Sequence, residues 1–146
     1  NTARKMEKKK KLSEYMPKIE IDSMKFEENG YQRGKYYWKS STLYDYVNQK
    51  GLKPFKFPLA TFDMTEYCEG FREMDNFYDF AYQCKRVMNA DLKYPIIFDD
   101  YGQIADGYHR VLKALIEGNK YIMAYRLPSM PNPDEINKEN KKESTT

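Results

Sequence analysis

The chain has 146 residues and a mass of 17.5 kDa, enough for one domain with its own core, and 40% of its residues are hydrophobic. Its formal charge of +3 gathers at the ends: residues 1–11 carry six basic side chains against Glu7, and 138–146 carry three against two. The body between them keeps 16 basic and 19 acidic residues, about −3, which excludes a basic platform for duplex DNA.

Residues 1–15 read as a basic N-terminal arm and 131–146 as a polar C-terminal tail, leaving 16–130 for a single domain. The lysines of the arm are a candidate contact for nucleic acid, although a solvated extension is the plainer meaning. In GYQRGKYYWKSSTLYDY (30–46), Tyr31, Tyr36, Tyr37, Trp38, Tyr44 and Tyr46 alternate with Arg33, Lys35 and Lys39. Such a mixture packs against a core or stacks bases, and packing is the first expectation. Ser40 and Ser41 as cap candidates, Leu43 and Val47 one turn apart, and Gly51 as a stop predict a short helix. Phe55, Phe57 and Leu59 alternate as in a strand, which Pro58 restricts to an edge or a bend.

The clearest helix lies in 75–90, with Asp75 or Asn76 as its cap. Phe77, Phe80, Ala81, Cys84, Val87 and Met88 form one apolar stripe that should face the core, with Asp79, Gln83 and Arg86 on the wet side. In YPIIFDDYGQIAD (94–106), two apolar runs flank the turn residues Asp99 to Gly102, a β-hairpin whose second strand delivers Asp106. Residues 107–117 form a helix with Tyr108, Val111, Leu112 and Leu115 on one face, ended by Gly118. KYIMAYRL (120–127) is a last strand closed by Pro128. This order predicts a compact α+β domain with a small mixed sheet flanked by helices.

The only histidine sits where that hairpin runs into its helix, in Asp106-Gly107-Tyr108-His109-Arg110. A helix start attracts anions, and two basic residues there are disfavoured unless something negative lies between them. Gly107 removes a Cβ from the approach, Arg110 offers a bidentate clamp, and His109 donates a hydrogen bond or moves a proton. Asp106 caps the helix, holds a metal, or takes a proton from a hydroxyl nucleophile; residue types alone leave all three open. Cys68 and Cys84, sixteen positions apart, and one histidine do not compose a zinc set. No apolar run reaches membrane-spanning length and the basic N-terminus lacks a signal-peptide core, so no membrane partner and a cytoplasmic location are expected.

Residues 90–127 resemble the ParB/sulfiredoxin-like superfamily, in particular small bacterial and phage ParB-like proteins with an Asp-Gly-x-His-Arg motif. The matching positions are Pro95, Ile96, Gly102, Asp106, Gly107, His109, Arg110, Ala114 and Gly118, and 57–63 resembles the early strand of that fold, so the match spans 54–128. The resemblance implies that Gly107, Tyr108, His109 and Arg110 bind nucleotide phosphates, ATP or another nucleotide with Mg²⁺. Free-serine kinases of this fold share the motif most closely, which implies catalytic roles for Asp106 and His109 in transfer to a small-molecule acceptor, or an NTPase. Tyr108 stands where sulfiredoxins place a cysteine, so repair of sulfinic acids is not implied. Asp63, Glu66 and Glu69 are candidate acidic partners after the first strand. The alternatives are a DNA- or RNA-associated ParB-like binding protein or nuclease, and a non-catalytic phage or mobile-element interaction protein.

Overall fold

The structure, a computed structural model, describes residues 26–65 and 74–137. Its strands are β1 (Gly30–Arg33), β2 (Tyr36–Lys39), β3 (Phe55–Pro58), β4 (Ile96–Phe98), β5 (Ile104–Asp106), β6 (Tyr121–Arg126) and β7 (Glu135–Ile136). Its helices are α1 (Ser40–Lys50), α2 (Phe77–Asn89) and α3 (Tyr108–Ile116), with a 3-10 turn at Leu59–Thr61. The expected α+β organisation is present, built on two small sheets.

The central sheet has the order β3-β6-β4-β5 and is mixed: β4 and β6 run parallel, while β3–β6 and β4–β5 are antiparallel. Its logic lies in β4, three consecutive apolar residues with no polar alternation, as a strand covered on both faces requires. Ile97 packs with Trp38, Leu43, Val47 and Leu127 on the α1 side. Ile96 and Phe98 point the other way, among Leu59, Val111, Ala114 and Ile122 on the α3 side. Ile96 and Ile97 are fully buried, each worth roughly 2–3 kcal/mol relative to exposure. β3 lies at the sheet's edge and ends on Pro58, as the proline demanded.

The aromatic segment folds as a β1–β2 hairpin running directly into α1. Trp38 and Tyr46 are buried in the core, so these two rings pack as expected. Burial obliges the Trp38 indole N–H to find an acceptor, and the Pro131 carbonyl supplies it at 2.8 Å. That contact begins a correction at the C-terminus. Residues expected to be tail join the fold: Asp134 accepts from the Lys39 amide (2.7 Å) and Thr42 hydroxyl (2.9 Å), and β7 pairs with β2. The N-terminal arm, residues 1–15, lies outside the described residues, as do Cys68, Glu66 and Glu69.

The largest correction concerns α2. Asn76 caps it, accepting from the Asp79 amide at 2.9 Å. Its apolar stripe, however, faces outward: Phe77 is 95% exposed, Phe80 57% and Met88 75%, and Cys84 is exposed as well. Val87 alone of that stripe is buried. The nominal wet side turns inward because it has polar partners there. Gln83 meets His109, and Arg86 donates to the Glu27 carbonyl (3.0 Å) and Tyr82 hydroxyl (3.3 Å).

Candidate functional site

The β4–β5 turn is fixed by Asp99, a fully buried carboxylate at the end of β4. One oxygen accepts the amides of Tyr101 (2.9 Å) and Gln103 (2.8 Å); the other accepts the Tyr31 hydroxyl (2.7 Å) and Arg33 (3.2 Å). Burial alone would raise the Asp99 carboxyl, but these donors overcome it and hold the group below the usual carboxylate value. The same contact, with burial first, drives the Tyr31 phenol upward. The turn pattern at 99–102 gives no sign that Asp99 also ties the β1–β2 hairpin to the sheet. A second acid beside it, Asp100, pairs with Arg33 at 2.5 Å.

β5 then delivers Asp106, which is 6% exposed. It does not cap α3, whose N-cap residue is Gly107. Its Oδ2 accepts Arg110 Nη2 at 2.5 Å, and the Ser40 hydroxyl lies 2.9 Å from Oδ1. Ser40 has one hydroxyl proton for two acceptors, because Asn29 O is 2.8 Å away. Ser40 is thus not the α1 cap that its residue type suggested. That N-cap position belongs to Lys39.

Gly107 has φ 120°, and a Cβ there would stand 2.4 Å from Ile96 Cγ2. The close approach that requires glycine is therefore to the protein's own core, not to a ligand. Arg110 is likewise turned to internal work. Its Nη1 lies 2.5 Å from the Tyr44 hydroxyl, 2.7 Å from Pro95 O and 2.9 Å from Tyr94 O, and its Nη2 holds Asp106. The guanidinium is a largely covered strut between β5, α1 and the segment that leads into β4, rather than an open clamp. Tyr44 shares this knot, and burial chiefly lifts its phenol to about 12.

Around the strut lies a cavity of about 640 Å³ between α1, α2 and the start of α3. Asp106, Gly107, His109 and Arg110 line it, which brings four of the five corner residues together. Tyr108 does not line it, and its phenol lies within electrostatic reach of Tyr31 instead. Asp63 is exposed and absent from the lining; its carboxylate accepts the Thr65 amide (2.9 Å) and hydroxyl (2.6 Å), which lower its pKa.

His109 Nε2 stands 2.7 Å from Gln83 Oε1, an acceptor, so the neutral ring carries its proton on Nε2. Burial first, then the Arg86 guanidinium, push the imidazole down to about 4, against a smaller pull from Asp106. A neutral His109 at pH 7 is a hydrogen-bonding wall of the cavity and not a cation for phosphate.

Arg86, expected on the wet side of its helix, turns inward instead, its guanidinium over the Phe26 and Tyr82 rings at 5.3 and 5.8 Å. It lines the cavity, and among the described residues it hydrogen-bonds only through Nη1. No carboxylate pairs with it among those residues. Its i+3 and i+4 spacing from Gln83 and Tyr82 marked the face, but only the packing of α2 on α3 says that this face looks inward. Asn29, Asn48 and Asn89 add amide donors and acceptors, and Phe26, Tyr44 and Tyr94 add flat apolar surface. Among the described residues no three His, Cys, Asp or Glu side chains converge as metal ligands. The described residues therefore do not compose a protein ligand set for Mg²⁺. No protein-family model, curated protein or solved structure matches the chain.

Proposed function

We propose that this cavity binds a nucleotide or a similar phosphate-bearing small molecule, in a protein of ParB/sulfiredoxin-like kind. Phosphoryl transfer to a small-molecule hydroxyl, or NTP hydrolysis, is the chemistry its residues suit best. The observation that carries the reading is Arg86: a guanidinium with two donor groups to spare, at the wall of a 640 Å³ cavity, with no carboxylate paired to it among the described residues. A cation in that state is completed by an anion.

The chemistry follows from Asp106. The Ser40 hydroxyl, 2.9 Å from Oδ1, marks where an acceptor hydroxyl would sit after displacing it. Asp106 accepts the acceptor's proton as that oxygen attacks the terminal phosphorus and the bond to the leaving phosphate breaks. Arg110, gripping Oδ2, fixes the carboxylate's direction. Arg86 carries the charge on the transferring group, and His109 holds the α2 wall through Gln83. Bound Mg²⁺ would supply charge neutralisation between phosphates.

The test is a thermal-shift series with ATP, GTP, CTP and pyrophosphate, each with Mg²⁺, on wild type and Arg86→Gln. Ligand at about 100 times its dissociation constant adds ~2.7 kcal/mol, a rise of several degrees in Tm. The rise should appear for at least one polyphosphate and vanish in Arg86→Gln. No rise with any of them, or an equal rise in the variant, overturns the proposal.

A further inference from the structure

We propose that α2 is a self-association surface, pairing antiparallel with α2 of a second copy about a two-fold axis near its middle. The outward stripe is continuous along the helix: Phe77, Phe80, Ala81, Cys84 and Met88 recur every three or four residues with no charge among them. Its exposures of 95%, 57% and 75% at Phe77, Phe80 and Met88 are large for residues of this kind. Taking about 200 Å² for each fully exposed side chain, those three present roughly 450 Å².

The pattern is self-complementary. Small residues, Ala81 and Cys84, occupy the middle, where two helices would approach most closely, and large ones occupy the ends. Antiparallel pairing sets Phe77 against the partner's Met88, a sulfur–aromatic contact, and Phe80 against the partner's Cys84. An isologous interface needs this one-patch symmetry. With Tyr78 at 42% exposure on the flank, two copies would together bury at most about 1,100 Å², just above the ~1,000 Å² that a specific interface has to clear. The opposite face of α2, with Gln83 and Arg86, stays on the cavity, so pairing leaves the ligand site open.

Sedimentation of the full chain from low to high micromolar concentration tests this. The wild type should shift from monomer to dimer, and Phe77→Lys with Met88→Lys should remain monomeric while keeping the wild-type circular dichroism and Tm. In a Cys68→Ser background, a short bismaleimide should join Cys84 to Cys84 of the partner subunit in good yield, and the Phe77→Lys change should abolish that product. A wild type that stays monomeric throughout overturns the proposal. So does a dimer that survives both substitutions, or a monomer in which Cys84 resists maleimide because another segment covers the stripe.

Discussion

Replacing Arg110 by Met separates a structural strut from a ligand clamp. The arginine side chain is 12% exposed and Asp106 6%, so the pair is almost out of water. Removing the guanidinium leaves the Asp106 carboxylate with only the Ser40 and Tyr44 hydroxyls and deprives Tyr94 O and the Tyr44 oxygen of a donor. Breaking a buried pair from one side costs about 3–5 kcal/mol, because the orphaned charge stays behind. A domain of this length has a total stability on the order of 5–15 kcal/mol, so the loss is a large fraction of it. The expected fall in Tm is about 10 °C. Urea titration should show the midpoint drop with an unchanged slope. The double variant Asp106→Leu with Arg110→Met should recover much of the loss, since no charge remains buried, giving a coupling of opposite sign to the single changes. If Arg110→Met melts within a degree or two of wild type yet loses polyphosphate binding, the strut reading is wrong and the guanidinium serves the ligand directly.

Further expectations follow from other residues. His109 is neutral in the fold down to about pH 4, whereas the unfolded chain takes up its proton near 6.5. Stability should therefore fall as pH drops from 6.5 to 4 and level off below, by up to about 3 kcal/mol, and His109→Gln should flatten that window in pH-resolved melts. Asp99 acts in a lower window: its contribution is complete above the unfolded carboxyl value and is lost as pH falls through its depressed folded value. Asp99→Ala leaves Tyr31 and two amides without their acceptor, leaves Arg33 only its Asp100 partner, and should cost at least ~3 kcal/mol in urea, with faster exchange of the Gln103 amide. Gly107→Ala combines a left-handed backbone with a Cβ 2.4 Å from Ile96 and should cost about 2–5 kcal/mol, whereas Gly118→Ala meets nothing and should cost about 1 kcal/mol.

Local pattern carried the central part of the fold. The run at 96–98, the turn at 99–102, the helix ended by Gly118 and the strand at 121–126 each follow from signals within a few residues. Long-range partners decided what was missed. The β1–β2 hairpin reads as an aromatic cluster until Trp38 is seen bonded to Pro131, 93 positions away. β7 has only two residues, and its place depends on β2 offering an edge. For α2 the periodicity fixes the line dividing the two faces but not which face turns inward. Its polar face goes in because Arg86 and Gln83 find partners on segment 26–27 and on α3.

The same ambiguity governs the corner itself. Two basic residues at a helix start argue for a nearby anion, and the fold supplies one of its own. Asp106 stands one turn before Arg110, and the two side chains meet at 2.5 Å with carbonyl oxygens filling the rest of the guanidinium. Spacing alone does not distinguish this internal partner from an external phosphate, since both satisfy the same donors. The proposal of a ligand rests instead on a second cation with spare donors, Arg86, which comes from α2, on the face judged polar for ordinary reasons. The motif builds the corner, and under the proposed function the ligand charge falls to the neighbouring helix. Arg86→Gln should therefore reduce polyphosphate affinity with a stability change below about 1 kcal/mol, because its existing hydrogen bonds are only partly buried. A loss of stability as large as that for Arg110→Met would place Arg86 in the framework too and leave the cavity without its anion contact.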